Sequence, residues 1–593
     1  MQSAFLHLFL CFLVGTANSR FVNSPSELKP EYDFIVVGGG TAGNVVAARL
    51  SEISKYSVLV IEAGGSDEGN VALEIPYAAP NAMSNTSIIW DYSTVPQAGL
   101  SQRSIAYPRG RVLGGSSAIN FLAYTRGSRD DFDRMASYTG DNGWSWNNML
   151  PYFKKSEGFT RPVDGHSTSG QIDSNAHGFN GPLKTTVYAC PAPIDPMLIS
   201  TTKASPSQFP FNVDYNSGNT IGMGYIQSTA GNGVRSSSAT AFIHPNINRP
   251  NLDVILNTHV TKLINVAGFF KTPDLRKVEF AQSRGGQRYT VRAKKEVILS
   301  AGAINTPQIL HLSGVGSPLS LLKLKIVPTI ISPFVGQDLQ DHVLLGSQWY
   351  VNSTDTLDVI TTNETAANNI LTQWVTSKTG RYANVSGNIF AWLRASASLF
   401  SFFTPDPSAG PTSAHFELYP VNQFASYAVP APTTGNFISV VKGVMSPASR
   451  GSVTLNSNDP FEPPLIDTGF LTNPIDIQIM IEAIKTAKEM FTLSPWKGYT
   501  LQPYGELGSA KTDSDLMKYI RSQATTFYHP SSTVKAGRSY DITAPLDSEL
   551  NLKGAVGVRV VDASIFPYIP AAHIQAAVFA IAERGADLIK QTW

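Results

Sequence analysis

Apolar and polar positions along this chain switch between two periods, and the switches mark its elements. Phe34 to Val37 is a short continuous run of apolar, largely β-branched residues, which predicts a buried strand. Asn44 to Ile53 follows with Val45, Val46, Ala48 and Leu50 among its apolar positions and predicts a helix. A second apolar run, Val58 to Ile61, predicts another buried strand. Leu252–Leu256 and Glu296–Ser300 are further β-like runs, the second entering a turn at Ala301-Gly302-Ala303 and a helix over Thr306–Leu312. Beyond Asp341 the character changes. Alternating segments such as Phe437–Val444 predict strands of an antiparallel sheet. Asp476–Phe491 and His573–Ile589 have helical apolar spacing. No internal repeat or low-complexity tract interrupts this organisation.

The join between the first strand and the first helix carries chemistry. Gly38, Gly40 and Gly43 fall at GxGxxG spacing, with Thr41 and Ala42 between the last two. The first glycine permits a tight turn, and the second lets backbone approach a pyrophosphate at the helix N-terminus, where amide donors are free. The third lets helix and strand pack closely. Glu62 ends the second strand about 20 residues on, where a carboxylate accepts hydrogen bonds from a ribose hydroxyl. The motif does not separate FAD from NAD, and an acid at position 62 disfavours a 2′-phosphate. Farther along, Gly114-Gly115-Ser116-Ser117 offers bare amides and hydroxyls for a second phosphate or a flat ring.

Composition narrows the class. The chain has 593 residues, 42% hydrophobic and 15% charged, with net charge +1. That length predicts two or more large domains with a substantial core. Without a basic run, nucleic acid and anionic membrane are poor partners. Met1–Ser19 has an apolar stretch followed by small residues, the pattern of a secretory signal peptide, with an uncleaved apolar N-terminus as the alternative. Of the two cysteines, Cys11 lies in that segment, so Cys190 stands alone in the mature chain. Asn85, Asn352, Asn363 and Asn384 each head an N-x-S/T sequon, consistent with a secreted glycoprotein. The ten histidines show no HxH or HExxH spacing, which argues against a metal site, and no GxSxG sits at a strand–helix turn.

Several long motifs in order resemble the glucose–methanol–choline (GMC) oxidoreductase family. They are the N-terminal glycine motif, the GGSSAIN passage ending at Asn120, GAINTPQILHLSGVG over 302–316, VGQDLQDH over 335–342, and a C-terminal region with two histidines. The resemblance runs from about Tyr32 to Lys590, nearly the whole mature chain. Within the family the chain is most similar to fungal aryl-alcohol oxidases, on IIWDYSTVPQAG near Tyr92, SIAYPRGRVLGGSS and the spacing of the late histidines.

This resemblance implies an α/β fold: a Rossmann-like FAD-binding domain with an α+β substrate domain built on an antiparallel sheet. The expected division is a signal peptide over 1–19, mainly FAD-binding domain over 30–344 with inserted substrate-domain segments, mainly substrate domain over 345–515, and a return to the FAD domain over 516–593. It implies non-covalent FAD, since no histidine lies at Asn120 or between His7 and His166. It also implies cofactor contacts at Gly38, Gly40, Thr41, Ala42, Gly43, Glu62, Gly114, Gly115, Ser116, Asn120, Val260, Asp562, Ala563 and Gln575.

The same resemblance makes His529 and His573 catalytic, flanking the flavin ring on its substrate side. A neutral imidazole titrates near working pH, so His529 is expected to take the hydroxyl proton while the hydride passes to the flavin. His573 is expected to hydrogen-bond the alcohol oxygen. Tyr92, Tyr528 and Phe424 are expected to line a flat apolar substrate site. Phe424 and Tyr427 share a Pro-bounded loop that reads equally as an aromatic gate or as plain packing. The expected activity is oxidation of an aromatic or conjugated primary alcohol to its aldehyde, with dioxygen as acceptor giving hydrogen peroxide, in a monomer. A dehydrogenase passing electrons to a quinone is the alternative, and a hydroxynitrile lyase on the same fold a further one.

Overall fold

A computed structural model describes residues 21–268 and 271–593 of the chain. The segment read as a signal peptide, with Cys11, lies outside the described residues.

In chain order the elements that matter here are β1 (Glu31–Val37), α1 (Gly43–Leu50), β2 (Val58–Ile61), β3 (Gly222–Tyr225), β4 (Leu252–Ile255), β5 (His259–Ile264), β6 (Lys277–Ala281), β7 (Tyr289–Leu299) and α2 (Gly302–Leu312). Then come β8 (Val343–Val351), β9 (Ile389–Leu393), β10 (Phe416–Val421), β11 (Phe437–Val444), α3 (Pro474–Met490), β12 (Thr500–Pro503), β13 (Thr525–Thr526), β14 (Val558–Val560) and α4 (Gln575–Thr592).

The first sheet runs β4-β2-β1-β7-β6-β5, with β14 pairing β7 and the short strand Phe21–Val22 on the β4 edge. Its centre is parallel: Phe34 pairs Val58 on one side and Glu296 on the other. Central strands covered on both faces must be apolar throughout, and Phe34–Val37 and Val58–Ile61 are fully buried. The antiparallel arm, β6 and the first half of β7, is solvated on one face, which is why Tyr289–Lys295 alternates between exposed and buried. That alternation extends β7 well ahead of the run Glu296–Ser300 that the sequence marks. α1 closes at Ser51, whose hydroxyl donates back to the Ala48 carbonyl, short of the expected Ile53. α4 packs against α1 and the helix Trp146–Ser156.

The second sheet is antiparallel, in the order β12-β8-β11-β10-β9-β3, with β13 pairing β8. β11 is buried along its whole length, and α3 covers it and β10. The expected boundary at 344/345 falls inside β8. β3 and β13 reach this sheet from segments on either side of the expected substrate domain.

This arrangement makes a crevice. β1, β2, β7 and β14 all end on one side, delivering Gly38, Glu62, Ser300 and Asp562 to it. The carboxyl ends of strands in an open parallel sheet are where ligands bind. The start of β8 and the middle of β10 and β11 face the same crevice from the second sheet, through Leu344, Tyr419 and Val441.

Candidate active site

One elongated cavity runs from the glycine turn after β1 to the two late histidines. At its first end two glycine turns touch. Gly38 takes a φ of +101°, and a Cβ there would lie 2.6 Å from the Ser300 carbonyl oxygen. A Cβ on Gly115 would lie 2.7 Å from the Gly40 Cα, so that backbone contact requires glycine at position 115. Gly43 does not line the cavity. Its Cβ would sit 1.9 Å from the Gly38 carbonyl oxygen, so its role is helix–strand packing. Gly114 is also outside the lining, its N–H donating to the Gly39 carbonyl at 2.8 Å.

Thr41 and Ala42 bring the N-terminal end of α1 to the cavity, beside Gly40, Gly115 and Ser116. Glu62 accepts from the amides of Gly39 and Gly64, both at 2.7 Å. Burial pushes its carboxyl up to about 7, against the pull of those amides and of Arg111. Asp562, between β14 and the last loop, accepts from the Gly302 amide at 2.8 Å and the Thr306 hydroxyl at 2.6 Å. Asn120 donates to the Gln575 side chain at 2.8 Å, which joins the GGSSAIN turn to the start of α4. Amides at helix N-termini, a buried carboxylate at the end of β2 and a long apolar trough fit a dinucleotide, with Gly38–Ala42 toward a diphosphate and Glu62 toward a ribose. Val260 and Ala563 also line the cavity, as expected.

At the other end, Phe121, Tyr419, Tyr427, Phe527 and Tyr528 surround His529 and His573. The two imidazoles meet edge to face, with centroids 5.1 Å apart at 85°. His529 stacks on Phe527 at 5.6 Å. Its Nδ1 lies 2.9 Å from Nδ1 of His342, which is wholly buried. His573 has a different neighbour. Its Nε2 lies 3.0 and 3.2 Å from the carboxylate oxygens of Glu417 on β10. Glu417 is fully buried and also accepts from the Trp392 indole at 2.6 Å.

Burial pushes the His529 imidazole well below its ordinary value, and the neighbouring His573, His342 and Arg109 push the same way. Its backbone is held just as firmly. Asp341 accepts from the amides of His529 at 2.9 Å and His342 at 2.7 Å, from the Thr526 hydroxyl at 2.6 Å, and from the Tyr107 hydroxyl. Burial raises this carboxyl to about 6 against those donors. Tyr528 takes a left-handed φ of +62°, which costs a non-glycine residue about 1–2 kcal/mol. Arg109 secures it by donating to the Tyr528 carbonyl at 2.6 Å.

Besides Gly43 and Gly114, three sequence expectations are corrected. Tyr92 does not reach the cavity. It stacks on Trp90 at 5.8 Å and accepts from Asn305 at 2.7 Å, because the strand Ile89–Trp90 turns its ring into a separate buried cluster. Phe424 is buried against Phe437 and Tyr504, with centroids at 5.1 and 5.3 Å, behind the wall rather than in it. The Asn384 side chain is buried, donating to Cys190 and Asn388 and accepting from the Ala189 amide, so it is not free to carry a glycan. Asn85, Asn352 and Asn363 are exposed.

Glu417, Arg109 and Phe121 are absent from the sequence expectations, and Asp341 and His342 appear there without a role. Glu417 left one signal: a charge inside the otherwise apolar strand Phe416–Val421.

The chain matches the GMC oxidoreductase N-terminal model over residues 32–344 and the C-terminal model over 447–582. It is 39% identical to the dehydrogenase eriK of Hericium erinaceus, covering 94% of each chain. It is 35% identical to pyranose dehydrogenase 3 of Leucoagaricus meleagris, covering 96% of this chain and 94% of that one. Among solved structures, a variant of formate oxidase from Aspergillus oryzae aligns with a TM-score of 0.86 at 28% identity, covering 95% of this chain and 98% of that one. A fungal aryl-alcohol oxidase aligns at 0.80 with 24% identity, covering 95% of this chain and 100% of that one, a likeness of fold.

Proposed function

The chain belongs to the GMC oxidoreductase family, an FAD-dependent enzyme family, and on that premise we propose that it oxidises a flat aromatic or conjugated primary alcohol to its aldehyde. The observation that carries this is the pairing of two histidines with opposed surroundings at the aromatic end of the cavity. His529 is backed by a neutral histidine, and His573 by a buried carboxylate. Two titratable groups whose environments differ in this way divide the roles of base and proton holder between them.

His529 takes the hydroxyl proton at Nε2, the ring nitrogen not engaged by His342. Glu417 holds a proton on Nε2 of His573 and so fixes the orientation of that ring. Its Nδ1 then faces the alcohol oxygen as a hydrogen-bond partner. Phe121, Tyr427 and Tyr528 bracket the substrate ring, and Phe527 holds the His529 plane. FAD, when bound, supplies the hydride acceptor.

Dioxygen is the acceptor first suggested by the sequence. A second reading, an organic acceptor such as a quinone, is favoured by the dehydrogenase names of eriK and the pyranose dehydrogenases. The apolar N-terminal segment and the exposed sequons support a secreted glycoprotein.

The test is anaerobic mixing of the purified protein with 4-methoxybenzyl alcohol, followed at the flavin band near roughly 450 nm. Bleaching supports alcohol oxidation. Rapid recovery in air with peroxide formation supports the oxidase, and recovery only on adding benzoquinone supports the dehydrogenase. No bleaching with this or a panel of conjugated alcohols overturns the proposal.

A further inference from the structure

The Nδ1–Nδ1 contact between His342 and His529 is a problem in proton counting. Two imidazole nitrogens 2.9 Å apart require one donor and one acceptor. If both carried a proton they would repel, and if neither did, two lone pairs would face each other. Either His529 donates, leaving its own Nε2 bare, or His342 donates and His529 carries its proton on Nε2. The second arrangement would block the nitrogen that has to receive the substrate proton.

The role of His529 as base decides between them. The Nδ1 of His342 is taken, so Nε2 is the nitrogen left to meet the rest of its pocket. That atom is enclosed and has no hydrogen-bond partner among the described residues. A base must keep its Nε2 free of a proton, so His529 carries its proton on Nδ1, and the 2.9 Å contact then requires His342 to accept there and to hold its own proton on Nε2. Burial and the nearby His573 hold His342 neutral, down to about 3, so the ring carries a single proton. With that proton on Nε2, His342 Nδ1 is an acceptor and His529 must donate to it.

We infer that His342 is a positioning residue that fixes His529 as its Nδ1–H tautomer, leaving Nε2 as a bare lone pair toward the substrate. The inference rests on the proposal that His529 is the base. The backbone shares the task. Asp341 accepts from the amides of both His342 and His529, so one carboxylate sets the separation of the two rings. The rings stand at 87° with centroids 5.2 Å apart, which aims one Nδ1 at the other rather than stacking their faces. When His529 gains the substrate proton at Nε2, its Nδ1–H bond to His342 becomes charge-assisted and stabilises the cation as it forms.

The test is nitrogen-15 NMR of the FAD-loaded protein labelled at histidine, with His529 assigned by comparison with His529→Gln. At neutral pH the wild type is expected to show His529 protonated at Nδ1 and bare at Nε2. The opposite tautomer overturns the inference without any variant of His342. In His342→Leu, which has no acceptor, the His529 signals are expected to move toward the Nε2–H form. Anaerobic flavin reduction is then expected to slow by roughly tenfold or more, in line with the cost of a wrong histidine tautomer elsewhere. His342→Gln presents an amide oxygen and is expected to recover most of the rate, which a packing role alone would not require. Unchanged tautomer and rate in His342→Leu overturn the inference while leaving the base intact. Full-speed reduction in His529→Gln overturns the base itself, a separate result.

Discussion

The carboxylate of Glu417 lies 3.0 Å from Nε2 of His573, and the contact joins β10 of the second sheet to the loop that starts α4 of the first. A buried carboxylate facing an imidazole fixes both the orientation of the ring and the site of its proton. Glu417→Gln keeps the shape and the Trp392 contact but removes the charge. Flavin reduction is expected to fall by about 10²-fold, the scale on which loss of one charge-stabilising group acts. Substrate affinity is expected to move much less, because the charge acts on the transition state. Stopped-flow reduction at several alcohol concentrations separates the two. An unchanged limiting rate would remove Glu417 from the proposed chemistry.

His529 sets the pH dependence. Burial, with His573, His342 and Arg109 close by, depresses its basicity, so it stays neutral and able to accept a proton below the ordinary histidine value. The sign follows: kcat/KM for an alcohol is expected to remain flat as pH falls through about 6.5, with the acid limb displaced to lower pH. An unperturbed histidine base would give a limb centred near 6.5. His529→Ala is expected to lower the reduction rate by about 10²–10⁴-fold, the usual range for loss of a general base.

Substrate recognition is expected to divide between residues that look alike in sequence. Tyr427 is 44% exposed, lines the cavity, and meets Phe121 and Tyr528 edge to face. Tyr427→Ala is expected to raise KM for 4-methoxybenzyl alcohol several-fold with little change in melting temperature. Tyr92→Phe, which only removes the Asn305 contact, is expected to leave KM within about twofold and to cost about 1 kcal/mol of stability. A larger KM change in Tyr92→Phe than in Tyr427→Ala would reverse these roles.

The parts of this site that rest on local rules are legible in the sequence. The strand–glycine–helix join needs only a few residues in a row, so the residues themselves place Gly38, Gly40 and Glu62. The sites of the histidines come with the family motifs, but their partners do not. His342 and His529 come together because β8 starts beside the loop after β13, and Glu417 meets His573 because two sheets converge. No spacing along the chain encodes either meeting. Tyr92 and Phe424 mislead for a related reason. An aromatic residue near a motif is apolar whether it faces the cavity or the core, and only the turn of the local backbone decides which. Asn384 shows the same limit for sequons, since the tripeptide is silent about burial.

Stability should respond to pH through four histidines outside the pair itself or behind it. Burial lowers His259 and His311 to about 4 and His342 to about 3. In the unfolded chain each takes a proton near 6.5, and in the folded protein it refuses one. Their support is therefore present above 6.5 and is lost as pH falls toward 4, at up to about 1.4 kcal/mol per pH unit for each histidine. His177 works in the opposite sense. Burial opposes its proton, but Asp214 and Glu157 at 2.7 and 2.8 Å outweigh that and raise it to about 9. Its contribution is complete below 6.5 and is lost as pH rises through 9. Melting temperature is expected to peak between these limbs and to fall on both sides. His311→Gln, whose amide can still donate to the Val335 carbonyl that His311 Nε2 meets at 3.1 Å, should make the acid limb shallower while leaving the alkaline limb intact. His177→Gln should flatten the alkaline limb alone. Calorimetry across pH 4 to 9.5 on the three proteins checks both signs, and an acid limb unaltered by His311→Gln would remove that histidine from the account.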